Sequence, residues 1–459
     1  MDFNRCNTDA HPKRSFDWRN VGVLIPKNPL AIVGIFRSLR NRNFFIYFIG
    51  LAVSMCGTWI QQLAMGWLVY SMTNSVFMLS LTVFLSQIPT LVITPFAGVV
   101  CDRFDRRTII LCTQGALMVQ SVILAALTLT GTITMPIIMA LCLWEGIAVS
   151  FDAPARQSFY SLLVPPKDLS NAIAVNSTAI NATRFIGPAL GGVMVAKFGE
   201  GICFLINAIS FLAIFLSLLL IKIPHKKHAD FSMRGALSDL MDGVRYVSNS
   251  VPILAVLLIL FVVSFFGVPF PMLMAAFTKG VLGGDSQTLG TLMGFIGVGT
   301  LTAALYLAAR KSVLGLGRVI IVCAILFGAS LMLISIVRWM PAVYFICYCI
   351  GFTMISVAAS CNTMLQALVD EEHRGRIMSM FTMAFFGIPP LGSIAQGYIS
   401  NFIPMPFVVF VCGLFCIAGG LVMEYYRPLI RKHSREIYTK RGIIIPEIAS
   451  GLSSSSGKH

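Results

Sequence analysis

Long runs of apolar, almost uncharged residues recur twelve times along this chain, and nothing constrains its fold more tightly. They lie near 44–70, 76–100, 108–130, 135–157, 171–196, 202–222, 252–276, 288–309, 318–337, 341–364, 377–400 and 405–426. Each matches the length of about 20 residues that an α-helix needs to cross the bilayer hydrocarbon. In that medium every backbone N–H and C=O must find a partner inside the protein, so such runs become helices. Charged residues are 12% of the sequence, against about 25% in a soluble domain, and no soluble core could hide the remainder. The reading is an all-α membrane protein with twelve transmembrane helices.

The formal net charge of +15 would suggest a nucleic-acid partner in a soluble protein. Its distribution says otherwise. Of 34 Lys and Arg, 30 fall in the tails and in alternate connections, namely 101–107, 156–170, 222–251, 310–318 and 365–376. The opposite turns hold only Lys197, Lys279 and Arg338, and Arg184 lies within a span. Basic residues stay on the cytoplasmic side of a membrane protein, so both termini are expected in the cytoplasm and no nucleic acid is implied. The opposite turns, such as Ser71–Ser75 and Gly131–Thr134, leave no room for an ectodomain. Asn-X-Ser/Thr matches at Asn176 and Asn181 fall within a span and are not expected to be glycosylated. Residues 1–43 are polar and basic, so the first span is expected to act as its own insertion signal.

Twelve Cys are scattered through the apolar segments without metal-site spacing, and none of the six His lies in a span. No metal and no cofactor is expected. No P-loop is present, so nucleotide-driven transport is not expected either.

The longest interior connection, 223–251, divides the spans six and six. The parts echo each other: "LVPPKDLSNAIAVN" from Leu163 follows span four, and "LVDEEHRGRIMSMF" from Leu368 follows span ten, 205 residues later. The expected organisation is a tail (1–43), a six-helix bundle (44–222), a loop (223–251), a second six-helix bundle (252–426) and a tail (427–459). Pseudo-symmetric bundles of the same direction place a substrate site between them near the midplane. A multi-pass membrane enzyme would instead need a catalytic constellation at an interface, and the spans contain no His to build one.

Between spans two and three, "GVVCDRFDRRTII" at 98–110 concentrates five charges in six positions. Gly98, Asp102, Arg103, Arg106 and Arg107 resemble the G-X-X-X-D-R-X-X-R-R signature of the major facilitator superfamily. "FRSLRNRNFFIYFIG", "GTWIQQLAMGWLVY", "SFDAPARQSFYSLLVPPKDLSNAIAVNS", "RFIGPALGG" and "DEEHRGRIMSM" together resemble its enterobactin-exporter-like, or transmembrane secretion effector, branch. That resemblance implies a bacterial inner-membrane exporter of siderophores or drugs. It also implies a cytoplasmic latch: Gly98 permits close helix approach, Asp102 faces a helix N-terminus in the other bundle, and Arg106 pairs with Asp152 near the end of span four. The matching turn of the second half, "RKSVLGLGR" at 310–318, keeps its bases but has no acid, so the latch is expected to be one-sided.

Glu145 and Arg184 lie about halfway along spans four and five, and ionisable groups at such depth need a reason. A buried Glu145–Arg184 ion pair is expected. It is either a static bridge or a switch in which Glu145 takes up and releases a proton. Asp152 lies one heptad beyond Glu145, with Arg156 as a local i,i+4 partner.

In span five, Gly187, Pro188, Gly191 and Gly192 of "GPALGG" suit close helix packing and a kink. It resembles the span-five motif of facilitator antiporters, without the upstream glycines. The resemblance also assigns the pathway to spans one, four, seven and ten. Their cavity candidates are Trp59, Gln61 and Gln62, then Trp144, then Phe265 and Phe266 beside Pro269 and Pro271, then Tyr348 and Asn362. The expected activity is export of a small organic molecule, siderophore-like first and drug-like second, against inward proton flow. A lipid carrier in the same fold is the remaining alternative. A monomer is expected, with the bilayer, the substrate and protons as its partners.

Overall fold

A computed structural model describes residues 37–221, 245–248, 250–310 and 313–440. Twelve of its helices are long and apolar enough to cross a membrane. In chain order the spans are α1 (Arg42–Thr73), α2 (Val76–Arg103), α3 (Arg106–Leu129), α4 (Met135–Leu163), α5 (Leu169–Phe198) and α6 (Glu200–Leu220). Then come α7 (Val251–Met272, continued by Met274–Gly280), α8 (Ser286–Ala308), α9 (Leu316–Ile336), α10 (Met340–Leu368), α11 (Glu371–Ile399) and α12 (Met405–Tyr425). A short helix, α13 (Arg427–Lys440), follows.

Local chemistry sets the turns. α1 ends where Asn74 takes the left-handed conformation at φ 48°, which Asn tolerates better than most residues. The next residue, Ser75, accepts from the Met78 N–H and caps α2. Asp105 caps α3 in the same way through Thr108. Asp285 caps α8, and the Thr288 backbone and hydroxyl donors hold its carboxyl below the usual carboxylate range. Several helices outrun their apolar stretch, α2 to Arg103, α4 to Leu163 and α10 to Leu368. The hydropathy marks only the hydrocarbon, while the backbone ladder continues through the headgroup zone.

Two spans change pitch midway. α7 passes through a π-helical turn at Val263–Gly267 and α11 through another at Met383–Gly387. Each runs into prolines, Pro269 and Pro271 or Pro389 and Pro390. Proline has no N–H, so Pro269 leaves the Phe265 carbonyl without its usual helical donor. Gln396 of α11 replaces it, its Nε2 donating to the carbonyls of Phe265 at 3.1 Å and Phe266 at 3.0 Å.

The helices pair by a repeated rule. In the first bundle α4 packs on α2 and α3, α3 on α6, and α1 on α5 and α6. In the second, α10 packs on α8 and α9, α9 on α12, and α7 on α11 and α12. Across the bundles α2 meets α11 and α5 meets α8, which is the exchange a pseudo-two-fold axis requires. Within the tail, α13 rests on α7 and α10 and buries Ile430, Ser434 and Tyr438. Burial raises the Tyr438 hydroxyl to about 12.

Candidate functional site between the bundles

Where the bundles meet, one end of the molecule is shut. Phe77 of α2 packs on Tyr398 of α11 at 6.1 Å. A Cβ on Gly192 of α5 would lie 2.6 Å from the Gly290 Cα of α8, so two backbones touch there. Gly297 abuts Phe185, Gly387 abuts Leu91, Gly66 faces Ala275, and Gly280 meets the Tyr70 hydroxyl. These contacts all fall between mid-span and the end that carries the short turns, such as 71–75. Toward the other end, which carries both tails, the α5 face below Phe185 is uncovered at Ala174, Ser177 and Thr178. The space between the bundles therefore opens at the tail end.

Helix α5 occupies the corner of this space. Gly187 and Gly191 seat it on α1, where a Cβ on Gly187 would run into the Trp59 Cβ. Gly192 and Pro188 seat it on α8. Arg184 emerges between these two edges, and its guanidinium carbon stands 5.2 Å over the Trp59 ring. Trp59 and Gln62 share the face of α1 that bears Gly66, the residue opposite Ala275 of the second bundle. Gln62 is exposed and Trp59 half-buried.

Arg184 and Glu145 do not pair. α4 and α5 follow each other in sequence but are barely in contact, because α1 lies against α5 while α4 turns to α2 and α3. Counted from their short-turn ends at a 1.5 Å rise, the two residues also differ in depth by about 6 Å. Among the described residues Arg184 makes no ion pair or hydrogen bond, and its Nε is buried without an acceptor. A lone cation at a span centre costs about 2.5–3.5 kcal/mol. Stacking on an indole returns about 0.5–2 kcal/mol of that, so the guanidinium is left with unused binding capacity. Glu145 likewise has no hydrogen-bond or ion-pair partner among the described residues; it sits on the side of α4 that carries Cys142 and Asp152.

The charged turn is organised within the first bundle. Asp105 caps α3. Arg107 donates to the Leu219 carbonyl in the last turn of α6 at 3.2 Å. Arg106 donates to the Ser158 carbonyl at 3.1 Å rather than to Asp152. Asp152 is instead ion-paired with Arg156 and accepts from Thr113 at 2.8 Å and Gln114 at 2.9 Å. Both members of that pair are buried, 5% and 8% exposed. Asp152 is thus satisfied by an i,i+4 cation on its own helix and by two neutral donors of α3, which leaves Arg106 to the Ser158 carbonyl. The surroundings of Gly98 and the side chains of Asp102 and Arg103 lie outside what the structure describes, and so does the expected contact of Asp102 with the second bundle.

The cavity candidates separate. Gln61 does not reach the space between the bundles: it is 4% exposed and sits in an amide cluster with Gln120, Ser121 and Asn207 of α3 and α6. Trp144 is 44% exposed on the flank of α4 with Leu143 and Ile147, away from Glu145. Phe266 stacks on Phe415 of α12 at 4.4 Å and so turns into its own bundle, while Phe265 stacks on Phe261 at 6.0 Å. Tyr348 accepts from Thr302 of α8 at 3.1 Å within an aromatic row with Phe345 and Phe352. Asn362 accepts from Gln366 at 3.0 Å on α10.

Sequence reasoning missed Ser177 and Asn181, which extend the Arg184 face toward the open end at i, i+4, i+7 spacing. Asn181 donates to the Ser177 carbonyl at 2.9 Å. The signal was available, because the fifth span is the least apolar of the twelve.

Comparison with known proteins now adds to this geometry. The family model described as transmembrane secretion effector matches residues 33–458. The chain belongs to the transmembrane secretion effector family. Its relatives in this family are major facilitator superfamily transporters, so the chain is a transporter and not an enzyme. The staphyloferrin A transporter of Staphylococcus aureus is 26% identical over 341 residues, 74% of this chain and 84% of that one. The multidrug efflux pump Tap of Mycolicibacterium fortuitum is 24% identical over 374 residues, 79% and 90% of the two chains. A bacterial homolog of the human lysosomal transporter Spinster, solved inward-facing and unoccupied, aligns with a TM-score of 0.64 at 13% identity over 86% of this chain and 98% of that one. The inward-open xylose transporter XylE of E. coli aligns with a TM-score of 0.62 at 13% identity over 82% and 95%. Both establish the same fold.

Proposed function

We propose that this transporter exports a small organic molecule, siderophore-like in the first instance, across the bacterial inner membrane in exchange for protons. The observation that carries the reading is the family match along nearly the whole chain, joined to a polar corner at Trp59, Gln62, Asn181 and Arg184 between two bundles. Relatives named for staphyloferrin A transport and for multidrug efflux support export of a compound larger than a simple ion. With the tails in the cytoplasm, a placement that the distribution of basic residues supports, the open end is the loading side. The turn at 102–107 then belongs to the opposite state, in which Asp102 would latch the bundles at the cytoplasmic end. The unpaired carboxyl of Glu145 is the proton carrier in this scheme. Export of drug-like compounds is the second reading, favoured by the relatives named for multidrug and macrolide efflux.

Metabolite profiling of the medium from wild-type and deletion strains under iron limitation tests the proposal. Loss of a secreted chelator is expected; unchanged chelator with lowered drug tolerance selects the second reading. Glu145→Gln should insert normally and lose proton-coupled efflux, read as pH-gradient-driven uptake into inverted vesicles. Full retention of coupled uptake in that variant removes Glu145 from the mechanism.

A further inference from the structure

Among the described residues Arg156 is buried and Arg184 part-buried well inside the spans, and only the first is neutralised. Arg156 has Asp152 as its ion partner. Arg184 has an indole beneath it and no carboxylate, although it lies in the corner where α1, α5 and α8 converge at the closed end of the open space. We infer that Arg184, stacked on Trp59, is the anion-recognition group of the transport site, and that the exported molecule carries a carboxylate beside a planar group. This deepens the export reading and rests on it.

Three observations converge. The guanidinium offers a planar fork of donors whose geometry matches a carboxylate, and none of its donors is engaged by a protein acceptor among the described residues. Trp59 covers the guanidinium from one side at 5.2 Å and offers it a π-face but no hydrogen-bond acceptor. Ser177 and Asn181 continue the same face of α5 toward the open end, so a ligand entering there passes hydrogen-bonding groups before it reaches the charge. The internal counter-ion expected from the sequence, Glu145, stands on a helix that packs elsewhere. An anion from the loading side is then the natural partner of Arg184. A cationic drug would meet a like charge at this position.

Two dyes with the same tricyclic ring system and opposite charge make the test: 5-carboxyfluorescein and rhodamine 123, titrated by fluorescence anisotropy against the full-length protein in nanodiscs. Wild type is expected to prefer the carboxylated dye by about tenfold or more. Arg184→Gln should weaken its binding by about tenfold and leave rhodamine 123 no weaker, while Arg184→Lys, which keeps charge but not the fork, should fall between. If Arg184→Gln is not monodisperse, Arg184→Lys and Trp59→Phe decide, each expected to lower carboxyfluorescein affinity while folding normally. Absence of saturable carboxyfluorescein binding, equal or tighter binding of rhodamine 123 by wild type, or unchanged carboxyfluorescein binding in the arginine variants overturns the assignment. Pumping of rhodamine 123 without carboxyfluorescein would overturn it while leaving export intact. A deletion strain with unaltered medium and drug tolerance would overturn export while leaving the binding preference standing.

Discussion

Asp152 and Arg156 show how a single residue is valued inside a membrane protein. Their charges are paid for by each other, by Thr113 and by Gln114, all within the first bundle. Asp152→Ala leaves a buried guanidinium without a counter-charge and is expected to cost about 3–5 kcal/mol, whereas the double replacement Asp152→Leu with Arg156→Met should recover most of it. Thermal unfolding of detergent-purified variants measures both. The two candidate pairs also show what was legible at this scale. An i,i+4 pair can be read directly from spacing, and Arg156 was the partner that spacing offered. The Glu145–Arg184 pair required knowing that α1 separates α4 from α5, and no local pattern carries that information. Gln61 and Gln62 are a further case: one is buried among amides and the other faces the open space, and adjacent positions on a helix differ by about 100°.

At the level of the element, glycine does the deciding. Gly192 and Gly290 bring the backbones of α5 and α8 together at the closed end, and no other residue leaves that space. Gly290→Leu should hold that end open and lower transport about tenfold or more, because each cycle must pass through the closed seam. Distances between spin labels on α5 and α8 would report it as a longer population; an unchanged distribution would show that the seam adapts. The twelve spans themselves were readable from hydropathy to within a few residues, six at the ends of α4 and α11, since the bilayer imposes a length on each. The pitch changes in α7 and α11 were not, beyond the prolines that follow them, because a π turn depends on where the freed carbonyls find donors. α13 went unread although Ile430, Ile437 and Tyr438 recur at helical spacing; what the sequence lacks is the surface of α7 and α10 on which that stripe docks.

For the whole molecule, the open end and the basic end coincide, since both tails and the turn at 101–107 lie there. A tag after the last residue should be digested by protease added to inverted vesicles and protected in intact spheroplasts. The reverse pattern would turn the transport direction around. Helix α11 bears on direction as well. Gln396 grips two carbonyls of α7 at the point where proline has broken its ladder, and Gly392 sits against the same Phe265 carbonyl. A joint where one helix has lost its own hydrogen bond is thus splinted by the helix beside it. Any flexing of α7 must carry α11 along, and through Gly387 and Gly397 the motion arrives at α2 on the far side of the gate.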